Sequence, residues 1–183
     1  KTGYAQTMNN NIMRWTVSGV RNDSTTSLQS FYWRDTLPTD AVRLTRLVTG
    51  TYSTTQTYKV TFTTNLNSQW RTAYDNLSTA KNYTLDMSSA ALGLASNEYV
   101  TQFMLSFGIV PAGFHQLTNA TVDAQTLYAL TNGYKFTNKA DVGGLLGGNW
   151  VQSIARWTTS IYSHYVPAKP AAPKSPTLPR TGY

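Results

Sequence analysis

No cysteine occurs among the 183 residues. Disulfides and thiolate metal sites are thereby excluded, so an extracellular domain made from this chain must find mechanical strength elsewhere. Charge is sparse as well: 13% of residues are charged, and the acids comprise Glu98 and a handful of aspartates. Long helices with alternating Glu and Lys would need more, and no acid pair suggests itself for glycoside hydrolysis. No apolar run reaches membrane-spanning length. No charged-then-apolar signal segment opens the chain, which reads as a piece of something larger. His115 and His164 stand far apart, without metal-ligand spacing. Nucleophile-elbow, H-E-x-x-H and Walker sequences are also missing. Neither a cofactor nor a turnover enzyme is expected.

What is present points to strands. Hydrophobic residues make up 40% and aromatics 13%, with Thr, Ser and Asn at the polar positions. The formal charge of +7 is scattered, its nearest cluster being "RLTR" at 43–46. That pattern suits a solvated surface and offers no basic stripe for nucleic acid. Short β-rich runs recur at 12–20, 27–35, 42–52, 57–65, 82–87, 98–110, 133–142 and 156–166, punctuated by Asn, Gly, Ser, Asp and Pro. Eight such runs predict an all-β, immunoglobulin-like antiparallel sandwich over residues 1–165. Two short helices are expected beside it. One covers 68–80, where Trp70, Tyr74 and Leu77 fall at helical spacing; the other is a single turn at 88–95. The Gly-rich "DVGGLLGGNW" (141–150) reads as a hairpin loop. Tyr and Trp suffice to build stacking platforms, although period-2 placement in core-facing positions accounts for many of them.

Beyond Tyr165 the composition changes. Residues 166–177 are expected to be a Pro-rich spacer, since such a run favours polyproline II. The spacer leads into Leu178, Pro179, Arg180, Thr181 and Gly182. "LPRTG" resembles the L-P-x-T-G signal by which Gram-positive sortases join surface proteins to the cell wall. A transpeptidase needs an extended, accessible backbone, and Pro179 favours that shape. The resemblance implies cleavage between Thr181 and Gly182, with sortase and peptidoglycan, or another pilin subunit, as partners. The apolar helix and basic end of a full sorting signal do not follow.

The stretch from "MRWTVSGV" through "FYWRDTLPTD" to "VTGTY" resembles the wall-anchored adhesin and pilin domains of Gram-positive bacteria. "KTGY" is similar to the first-strand segment of the collagen-adhesin type, and "KFTNKADV" to its closing strand. The resemblance implies a covalent amide between Lys1 and Asn138, promoted by the acid Asp35, with Glu98 as the reserve acid. The chemistry is coherent, because an amine attacks only when neutral and burial favours the neutral forms of amines and carboxyls. It implies a structural or adhesive domain on the cell surface, either a basal pilin or the last domain of an adhesin. No Lys-containing motif marks a polymerising shaft subunit. Host matrix or glycan is the alternative partner class.

Overall fold

The computed structural model describes residues 1–162, and within them every regular element is a strand. In chain order these are β1 (Thr2–Gly3), β2 (Gln6–Thr7), β3 (Ile12–Val17), β4 (Leu28–Thr36) and β5 (Val42–Val48). Then come β6 (Thr51–Tyr52), β7 (Thr57–Thr64), β8 (Arg71–Ser78), β9 (Thr84–Asp86) and β10 (Val100–Val110). The last four are β11 (Gln116–Thr118), β12 (Ala120–Thr126), β13 (Lys135–Leu146) and β14 (Asn149–Ile161). Two sheets carry the fold. A five-stranded sheet runs β1-β3-β12-β5-β9, and a seven-stranded sheet runs β2-β14-β13-β4-β10-β7-β8; β6 and β11 form a small ladder of their own. All pairings are antiparallel except the short parallel contact of β2 with β14. The expected immunoglobulin-like sandwich is what forms.

Alternation places the core between the sheets. Met13, Trp15 and Val17 point inward from β3, and Phe31 and Trp33 from β4. Phe103 and Leu105 of β10 lie beside them, with Trp33 edge-on to Phe103 at 5.7 Å between ring centroids. The same alternation carries Asp35 into this interior after Phe31 and Trp33, and Asn138 after Phe136 on β13. Sequence pattern alone therefore puts two polar groups where packing expects apolar ones.

The first seven residues tie the sheets together. β1 pairs with β3 on one sheet, and Gln6 and Thr7 then pair with β14 on the other. Between them the Tyr4 carbonyl accepts from Trp157 Nε1 and Thr159 Oγ1. Gly3 is required here: a Cβ would come within 2.5 Å of Trp15 Cδ1 and 2.9 Å of Trp157 Cδ1. Exposed Thr2 separates Gly3 from Lys1, so alternation turns Lys1 inward as well.

Two expectations about local structure change. Residues 68–80 are not helical; Arg71–Ser78 is the edge strand β8. Tyr58 pairs with Leu77 and Val60 with Tyr74, so β8 has one more residue than β7 across that interval. Asn76, at φ 54°, lies within the bulge. The bulge lets Tyr74 and Leu77, three apart, both pack on the core, which is why the spacing mimics a helix. Residues 88–95 form a set of turns, with Leu92 N–H donating to Ser88 and Leu94 N–H to Ser89. The Gly-rich stretch is a hairpin, but its loop is only Gly147–Gly148, at φ 56° and 84°.

Candidate functional site

Three of the anticipated residues meet in the interior. Lys1 Nζ lies 2.6 Å from Asp35 Oδ2, and Asn138 Nδ2 donates to Asp35 Oδ1, also at 2.6 Å. The side chain of Lys1 is 1% exposed and that of Asp35 is 0%; Asn138 is likewise sealed from solvent. Each arrives from a different strand for a simple reason. Asp35 pairs with Ala140 of β13 on one side and Phe103 of β10 on the other. Asn138, two residues before Ala140, is therefore its diagonal neighbour on the same face. Lys1 reaches across from the opposite sheet, its ammonium 5.8 Å from the Trp15 ring centroid.

Two details set this group apart from a fully satisfied ion pair. Asn138 Oδ1 is buried and has no hydrogen-bond partner among the described residues, which ordinarily costs on the order of 1–3 kcal/mol. Burying a cation–carboxylate pair also carries a desolvation cost that its attraction only partly offsets. A cleft of about 120 Å³ is lined in part by Lys1, Trp33 and Ala140.

Glu98 is not part of the group. It accepts from Thr64 Oγ1 and Arg71, at the opposite edge of the seven-stranded sheet. Those two bonds, Thr64 first, hold its carboxyl below the ordinary range. Among the described residues its hydrogen-bond partners do not include Lys1 or Asn138. Leu178, Pro179, Arg180, Thr181 and Gly182, the spacer 166–177 and His164 lie outside the described residues. His115 sits in a loop with Nδ1 against the Gly113 carbonyl oxygen.

Two further clusters escaped the sequence reading. On the outer face of the seven-stranded sheet, buried Asp141 receives Arg34 through two nitrogens, Tyr32 Oη at 2.9 Å and Gln152 Nε2 at 2.8 Å. On the outer face of the other sheet, Asp123 is held by both Arg14 and Arg46. Burial by itself would raise both carboxyls. The hydrogen bonds outweigh it, those from Arg34, Gln152 and Tyr32 for Asp141 and those from Arg14 and Arg46 for Asp123, so both sit below their ordinary value. The only sequence signal for these pairs is an Asp and an Arg at outward-facing strand positions, and only register makes them neighbours.

No protein-family model matches the sequence, and no curated protein does. Among solved structures, the chain is similar to the C-terminal domain of the Streptococcus agalactiae AgI/II polypeptide BspA, at TM-score 0.42 and 12% identity. That match covers 86% of this chain and 45% of the streptococcal one, so this chain spans less than half of its length. It is also similar to ACE19, the collagen-binding subdomain of the Enterococcus faecalis surface protein ACE, at TM-score 0.34 and 12% identity, covering 88% and 93% of the two chains. At these scores the likeness adds nothing to the fold read from the sheets, and the site rests on its own geometry.

Proposed function

We propose that this is a force-resisting domain of a Gram-positive cell-surface protein, a basal pilin or an adhesin stalk, cross-linked internally between Lys1 and Asn138. The observation that carries the reading is the seating of the Lys1 amine and the Asn138 amide on opposite oxygens of one sealed carboxyl, each at 2.6 Å. One proton moved across the Lys1–Asp35 contact turns the ion pair into a neutral amine, the form that can attack, and a neutral acid. With the Asn138 amide turned over, the Asp35 hydroxyl donates to the otherwise orphaned Oδ1 and polarises the carbonyl. Lys1 Nζ then attacks Asn138 Cγ. The new Nζ–Cγ bond forms as the Cγ–Nδ2 bond breaks, and the proton lost by Nζ passes through Asp35 to the departing nitrogen. Ammonia leaves, and Asp35 remains protonated beside the new amide. This happens once per molecule, so the residues do chemistry without the chain being a turnover enzyme.

The bond would close a loop over most of the domain. By the chain-entropy treatment used for disulfides, such a loop contributes roughly 5 kcal/mol. Its mechanical effect is larger, because a pull entering at Lys1 would leave through Asn138 and bypass every strand from β1 to β12. The "LPRTG" run gives such strength a use, as the resemblance implies attachment to peptidoglycan by sortase. Incubating the chain with a sortase and a glycine nucleophile should release Gly182-Tyr183; failure of the exchange removes the anchoring claim. For the cross-link, the intact mass of the folded chain should be one ammonia below the sequence value. A full-length mass in a folded sample would sink the proposal.

A further inference from the structure

Across the outer face of the seven-stranded sheet runs a groove of about 700 Å³, in the size range of small-ligand sites. Trp150 of β14 and Trp70, just before β8, both line it. The strand order sets these two elements on opposite sides of β13, β4, β10 and β7, so the indoles mark the two ends of the groove. Trp150 is 64% exposed and Trp70 39%, far beyond what core packing requires of indoles. Between them Tyr32 forms part of the floor, its ring edge-on to Trp150 at 6.4 Å and its hydroxyl anchored on Asp141.

The backbone beneath is deformed at this place. Between the pairs Ser106–Tyr32 and Gly108–Phe31, β10 carries one extra residue; between Gly108–Phe31 and Val110–Leu28, the extra residue is on β4. Ser30 in that second bulge has φ 49°, a left-handed conformation for a non-glycine residue in a central strand. Such strain costs about 1–3 kcal/mol and gathers at binding sites, where bulges re-aim side chains. Both bulges open into the groove, where Ser30, Ser106 and Gly108 are lining residues.

We infer that this groove binds an uncharged oligosaccharide. A pyranose ring has an apolar C–H face that fits an indole face, and a rim of hydroxyls that each donate and accept. The rim finds hydroxyls at Ser30 and Ser106, a carboxylate at Asp75 and the Lys59 ammonium, which has no ion-pair partner among the described residues. Charge decides against an acidic chain: Arg34 is neutralised by Asp141, and one acid, Asp75, matches the remaining cation, Lys59, in number, so the lining carries no net positive charge. Geometry decides against a peptide, which is commonly taken through the backbone groups of a sheet edge, whereas this site lies on a sheet face.

The test uses the full chain on an array of immobilised neutral hexose and N-acetylhexosamine oligosaccharides, sialylated and sulfated glycans, and a collagen-type triple-helical peptide. Binding confined to neutral chains is expected, with the best soluble one altering tryptophan fluorescence. Trp150→Ala and Trp70→Ala should each weaken binding by about tenfold or more, with unchanged thermal midpoints showing that the fold survives. Signal only on acidic glycans or the collagen-type peptide, no signal on any glycan, or full affinity in both Trp variants overturns the inference. Lys1→Ala should bind as the parent does below its melting temperature, so the groove and the cross-link fail separately.

Discussion

Asp35 and Asp141 stand one register step apart across the β4–β13 pairing, Asp35 opposite Ala140 and Asp141 opposite Arg34; they lie on opposite faces of one sheet, and both are sealed from solvent beside a cation. Their surroundings differ in the chemistry they allow. Asp141 meets Arg34, whose guanidinium keeps its proton under all ordinary conditions and grips the carboxylate through two nitrogens. Tyr32 and Gln152 fill the remaining acceptor sites, so the cluster is electrostatically complete. Asp35 meets a lysine, which can surrender its proton, and an amide whose oxygen is left without a donor. A carboxylate clamped by arginine is a finished structural joint. One placed between a lysine and an under-bonded asparagine is the acid that the proposed cross-link requires, and the contrast is chemical rather than positional.

The harshest way to break the comparison is to remove the reacting amine. Lys1→Ala should restore the full mass and lower stability by roughly 5 kcal/mol, or about 10–20 °C in melting midpoint for a domain of this size. Asn138→Ala should do the same to the mass. Single-molecule pulling separates the states further: the parent should extend only through residues after Asn138, the Lys1→Ala chain through the whole domain. Asp35→Asn should also give the full mass while leaving both end groups in place, which assigns the proton transfers to the carboxyl. A parent that pulls out to full length would end the cross-link reading.

The arginine side predicts a smaller, pH-dependent effect. Folded Asp141 titrates below its unfolded value, so its contribution is fully present above the unfolded pKa and disappears as pH falls through the folded one. The parent should therefore lose stability on acidification below about pH 4, and Asp141→Asn should flatten that loss at a cost of about 2 kcal/mol at neutral pH. Asp123→Asn should cost less and respond more to salt, because Arg14 and Arg46 are close to half exposed while Arg34 is only 28% exposed. Urea midpoints across pH and ionic strength check both. An equal effect of the two substitutions would contradict the burial argument.

Much of this was readable beforehand, unevenly. Phe31, Trp33 and Asp35 alternate plainly, so β4 and the inward direction of Asp35 follow from pattern alone. The grouping of Asp35 with Lys1 and Asn138 did not come from their types, which are ordinary; it came from the short stretches around them and what those resemble. β12 was passed over because Ala120, Val122 and Ala124 are small, and Asp123 interrupts them, although all four are buried. β8 resembles a helix in sequence because a bulge at its centre replaces period 2 by an interval of three. The Arg34–Asp141 and Arg14–Asp123 pairs were invisible because each spans over a hundred residues of sequence. Register creates such contacts, and composition does not encode register.

Glu98 supplies the smallest expected effect and a useful control on the whole contrast. It too is an acid held by an arginine, but at a sheet edge and with Arg71 37% exposed. Solvent screens such a pair, and exposed ion pairs contribute little. Glu98→Gln keeps an acceptor for Thr64 Oγ1, so its denaturation midpoint should be indistinguishable from the parent's. Its mass should still fall one ammonia short of the sequence value, because the proposed proton path runs through Asp35. If Glu98→Gln instead carried the full mass, the proton path would run through a residue with no bond to Lys1 or Asn138. The distinction between an arginine-clamped acid and a lysine-paired one would then lose its chemical basis.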